Sequence, residues 1–81
     1  MHIENLVKMA NNITAFFRAE PERESAIRSI TNHLKMFWDP RMRKQIVAHY
    51  RAGGDGLDEL TGEAVKRLAE EIDSFSQIGD G

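Results

Sequence analysis

The 81-residue chain contains no cysteine. Disulfides, thiolate nucleophiles, zinc fingers and protein-bound iron–sulfur clusters are thereby excluded. Long apolar runs are missing as well: none approaches the ~20 residues needed to span a bilayer. The start, Met1-His2-Ile3-Glu4-Asn5, lacks the basic and apolar regions of a signal peptide, so a cytoplasmic protein is expected. Proline occurs only twice, internal repeats are absent, and the β-branched alternation of strands is not found. What is present is the composition of an ordinary soluble domain, 41% hydrophobic and 30% charged, with a net charge of -2.

At 81 residues the chain holds one domain. A core of this size rarely supplies more than roughly 3–5 kcal/mol. With no disulfide available, a partner that binds only the folded form is the natural source of further stability.

Periodicity predicts an all-α bundle of about four short helices over residues 1–75, with a frayed tail over 76–81. A first helix spans Ile3 to Ala19, with Ile3, Leu6, Val7, Ala10, Ile13 and Phe17 in one arc and Met9 and Phe16 to one side. Glu20-Pro21 interrupts it, and Pro21 opens a second helix with the stripe Ala26, Ile27, Ile30, Leu34 and Phe37. Met36 falls on the opposite face. Asp39 suits an N-cap and Pro40 the first position of a third helix reaching Arg51. Its inner stripe is Met42, Ile46 and Tyr50; Arg41, Lys44 and Arg51 face outward, and Arg43 lies within pairing reach of Asp39. Gly53-Gly54-Asp55-Gly56 stops that helix. A fourth, capped by Asp58 or Thr61, carries Leu60, Ala64, Val65, Leu68 and Ile72 inward.

Charge is segregated along the chain. Residues 28–51 carry six bases and one acid, and residues 52–81 carry two bases and eight acids. These segments pair within the bundle or face two differently charged patches on a partner.

Candidate chemistry is sparse. His2, His33 and His49 lack the spacing of a metal-binding helix, and the serines lack a nucleophile elbow. Glu24–Arg28 and Glu63–Arg67 fit ordinary i,i+4 pairs on solvated faces. The glycine-rich loop follows a helix rather than a strand and has no P-loop lysine. The second and third helices have the layout of a helix-turn-helix, a nucleic-acid-binding alternative that a pI of 5.9 opposes. Trp38 is either a core anchor or an interface residue, and the off-stripe Met9, Phe16 and Met36 suit a protein–protein surface.

Three stretches carry a family resemblance: Leu6-Val7-Lys8-Met9-Ala10-Asn11-Asn12-Ile13 running into Phe16-Phe17, then Phe37-Trp38-Asp39-Pro40-Arg41-Met42-Arg43, then Gly53-Gly54-Asp55-Gly56-Leu57 with Leu60. Together they resemble the delta subunit of soluble, NAD-dependent, molybdenum-containing formate dehydrogenases, over roughly Ile3 to Leu68. The Phe-Trp-Asp-Pro-Arg-Met-Arg segment is the most specific part. The resemblance implies a non-catalytic accessory chain that binds the large alpha subunit and supports its assembly, stability or cofactor retention. The bis-molybdopterin guanine dinucleotide, iron–sulfur clusters, FMN and NAD of such a holoenzyme would lie outside this chain. The expected partner interface is Trp38, Asp39, Pro40, Arg41, Met42 and Arg43, supplemented by Met9, Phe16 and Met36. Neither a membrane nor a nucleic acid is expected as a partner. A homodimeric helical interaction module remains the other alternative.

Overall fold

A computed structural model describes residues 2–79, with side chains described for 2–73. Four helices follow one another: α1 (Ile3–Phe17), α2 (Arg23–Phe37), α3 (Pro40–Arg51) and α4 (Glu59–Gly79). No strand occurs among the described residues. The all-α bundle expected from periodicity is therefore the observed architecture. The side chains of the expected 76–81 tail, and residues 80–81 altogether, lie outside the described residues; α4 itself is helical through Gly79.

Local chemistry accounts for the boundaries. α1 stops at Phe17, two residues before the predicted end; Arg18 still donates its N–H to the Thr14 carbonyl, and Glu20 donates to Phe17. Pro21 does not open α2. The helix starts at Arg23, with Glu22 as an extended N-cap and Glu24 in the first turn, where the dipole favours acids. α3 begins at Pro40 as predicted, and the Asp39 carboxylate accepts the Met42 N–H at 3.0 Å. It ends in a Schellman arrangement: Gly54 donates to the His49 carbonyl and Gly53 to Tyr50. Gly53 has φ 125°, a conformation that side chains with a Cβ rarely adopt. Thr61 is not a cap but a core residue, hydrogen-bonded to Thr14 across α1 and α4 at 2.5 Å.

The core is built from Leu6 and Ala10 of α1, Ile27, Ile30 and Leu34 of α2, Ile46 and Val47 of α3, and Ala64, Val65 and Leu68 of α4. Two predicted side-chain positions are corrected. Met9, expected outside the core stripe, is half-buried and packs against the core, because α1 contacts three other helices rather than one. Phe37, expected inside, is 69% exposed. It is the last residue of α2, and the inward position beyond it is taken by Trp38, which is 5% exposed.

Candidate functional site

The corner between α2 and α3 is anchored from within. The Trp38 N–H closes α2 on the Leu34 carbonyl, and its indole joins the core cluster. Of the two readings left open for Trp38, the structure takes the core anchor. The Asp39 carboxylate caps α3 through one oxygen, and although Arg43 lies within pairing reach along the helix the two form no ion pair. Asp39, Pro40 and Arg41 are exposed, while Met42 and Arg43 are half-buried. Met42 packs against the core.

Five bases elsewhere on the bundle are paired. Lys35 meets Glu71 at 3.1 Å, Arg51 meets Asp73 at 2.6 Å, Arg18 meets Asp58 at 3.2 Å, and Arg23 meets Glu59. Arg67 holds Glu24 bidentately, at 2.5 and 2.6 Å, in place of the expected Glu63–Arg67 helix pair. That hydrogen-bonded guanidinium holds the Glu24 carboxyl below its usual range, with partial desolvation opposing. Two of these pairs, Lys35–Glu71 and Arg51–Asp73, join the basic middle of the sequence to its acidic C-terminal segment. Arg41, Arg43 and Lys44 stand outside this pattern, with no ion pair among the described residues. Arg43 Nε is shielded from solvent and makes no hydrogen bond.

Two shallow clefts meet at Pro40 and Lys44. One, about 540 Å³, is lined also by Asp39 and Arg41. The other, about 550 Å³, runs between α2, α3 and α4. Its apolar part is Pro40, Leu68 and Ile72; its charged part is Arg43, Lys44 and the Lys35–Glu71 pair.

A second exposed feature crosses α1 and α2. Phe16 meets Phe17 edge-on at 5.0 Å between ring centroids, Phe17 meets His33 at 6.1 Å, and His33 lies against Phe37 at 4.6 Å. Phe16 and Met36 are 77% and 75% exposed, as the helical wheel predicts. Sequence reasoning missed Phe37 as a member of this strip; its position as the last helical residue was the available signal.

Reasoning from the sequence also missed Asn11. Its amide donates to the Gly56 carbonyl at 2.9 Å and accepts the Asp58 N–H at 3.0 Å, clamping the glycine-rich loop to α1. From α3, His49 Nε2 meets the Asp55 carbonyl at 2.7 Å. His49 and His33 thus both have structural contacts. The loop is a clamped helix stop rather than a phosphate cradle. Among the described residues no group of three or more His, Asp or Glu side chains converges as a metal-binding set. The donor set does not fit an iron–sulfur cluster, for which the chain has no thiolate. No helix among the described residues is long and apolar enough to cross a membrane.

These features define a class: a small helical chain with a rigid core, internally paired charges, and a surface marked by unpaired cations and exposed aromatics. A family model described as NADH-dependent formate dehydrogenase delta subunit, FdsD, matches residues 5–65. The chain belongs to this delta-subunit family. Neither a curated protein nor a solved structure matches it.

Proposed function

We propose that this chain is a non-catalytic accessory subunit that docks on the large, molybdenum-containing alpha subunit of a cytoplasmic formate dehydrogenase. There it supports assembly, stability or cofactor retention. The redox groups belong to the other subunits, and neither nucleic acid nor membrane is a partner. One observation carries the reading: the family match includes residues 38–43, where a buried Trp38 supports an exposed turn bearing Arg41. A cation held on a rigid corner without an internal acid suits a carboxylate or carbonyl of another protein. Phe16 and Met36, with Phe37 beside them, supply exposed apolar area of the kind that interfaces cover. Trp38, Met42 and Met9 serve this surface from beneath, by fixing the elements that bear it.

The experiment is co-purification from native cells with an Arg41→Ala plus Arg43→Ala variant. The expected result is loss of the alpha subunit from the pull-down while the circular dichroism spectrum of the purified chain is unchanged. Full retention of the alpha subunit and of formate oxidation refutes the assignment of docking to Arg41 and Arg43.

A further inference from the structure

We infer that the cleft between α2, α3 and α4 receives an acidic–apolar segment of the partner: a carboxylate seated on Arg43 and Lys44, followed by an aliphatic or aromatic side chain laid on Pro40 and Ile72, above the buried Leu68. This deepens the docking proposed above and rests on it. The cleft, about 550 Å³, is an open groove where three helices meet, of a size to take a short chain segment across it. Its charge is unbalanced, because Glu71 is matched by Lys35 while Arg43 and Lys44 have no acid among the described residues.

Arg43 is the centre of the argument. Its Nε has lost solvent without gaining an acceptor. An anion at its outer nitrogens compensates a guanidinium that is already partly dehydrated, and so meets less opposing desolvation than at a fully hydrated cation. A carboxylate matches the planar fork. A phosphate group fits less well. The lining of the two clefts is net positive and attracts either anion, so the apolar part of the lining decides. The apolar lining gives a phosphate nothing to bury, whereas a neighbouring leucine or phenylalanine side chain gains from it.

The test is zero-length carbodiimide coupling on the intact complex, read by mass spectrometry. The reagent joins a lysine amine to a carboxylate already in contact with it. The Lys35–Glu71 pair, at 3.1 Å, is the internal reference for the coupling chemistry. The expected product joins Lys44 to an Asp or Glu of the large subunit whose chain neighbour is apolar, and Lys44→Gln, at an exposed position, abolishes it. Arg43→Gln plus Lys44→Glu should reduce complex recovery by at least about tenfold. Lys8→Glu plus Lys66→Glu, at exposed sites on other faces, should leave it unchanged. An intact complex in which Lys44 couples to no partner carboxylate overturns the inference and leaves the docking reading standing. Failure of the unaltered chain to co-purify with a large subunit overturns both. Displacement of the chain by millimolar inorganic phosphate, with no carboxylate coupling, assigns the cleft to a phosphate and also overturns the inference.

Discussion

Three buried threonines show how single side chains specify this core. Thr14 and Thr61 are fully buried, and their hydroxyls satisfy one another across α1 and α4. Thr31 turns its hydroxyl to the Ile27 carbonyl at 2.8 Å. A buried hydroxyl without a partner costs about 1–3 kcal/mol, whereas removing both partners is close to neutral. Thr14→Val and Thr61→Val are each expected to destabilise by an amount in that range, and the double variant by less than the sum. Urea denaturation of the four species checks this; strict additivity overturns it. Trp38 sits at the other extreme. Trp38→Ala removes a buried indole, at about 3–5 kcal/mol. That equals the whole stability expected of a core this small, so thermal melts of the isolated variant should show no cooperative transition. None of the threonine roles was legible in the sequence, because a hydrophobic wheel places threonine on neither face. Trp38 was half legible: its neighbours Asp39-Pro40 fixed the corner, but nothing in the order of residues said which way the indole turns.

At the scale of elements, legibility followed the punctuation. Asp39-Pro40 set the start of α3 correctly because side-chain capping and a fixed φ act locally. Glu20-Pro21 misled by two residues on each side, since its turn is shaped by Glu22 and by the exit of α1. The ion pairs were the least legible. The i,i+4 rule joins Glu24 to Arg28 and Glu63 to Arg67, yet the packing of α2 on α4 brings Glu24 and Arg67 together instead. This pair predicts a pH dependence. The folded-state carboxyl of Glu24 lies below its unfolded value, so its contribution is complete above the ordinary carboxylate range and disappears as the pH falls through the folded value. Glu24→Gln should therefore be less stable than the parent at neutral pH, with the gap closing as the pH falls below the ordinary carboxylate range and through the folded-state value. Because the pair is exposed, 1 M salt should shrink the gap as well. Melting temperatures across pH and salt check both; a gap independent of pH rules the pair out as a contributor.

The clamp on the glycine-rich loop belongs to the same scale. Asn11 closes two hydrogen bonds from α1 to the entry of α4, so Asn11→Ala should release both. Each typically contributes about 0.5–1.5 kcal/mol. Faster amide exchange at Asp58 is the direct readout, and unchanged exchange there shows that the backbone holds the loop without it.

For the whole molecule, the same charges that close the bundle leave a remainder. Five ion pairs use four acids of the C-terminal segment but only Lys35 and Arg51 of the basic middle, and Arg41, Arg43 and Lys44 are left unpaired together at the corner. A chain of 81 residues with so small a core gains most from a partner that selects its folded form. Binding at a hundred times the dissociation constant adds about 2.7 kcal/mol to the folded state, comparable to the core's own contribution. Amide exchange in α3 should consequently slow by about a hundredfold when the chain is in its complex, the same energy expressed as a rate. The Arg41→Ala plus Arg43→Ala variant should exchange like the parent when isolated, because neither side chain makes an ion pair among the described residues, and should lose the slowing when the partner is added. Equal protection of parent and variant in the presence of the large subunit places the docking surface elsewhere on the bundle, with the exposed Phe16–Phe17–His33–Phe37 strip as the face to alter next.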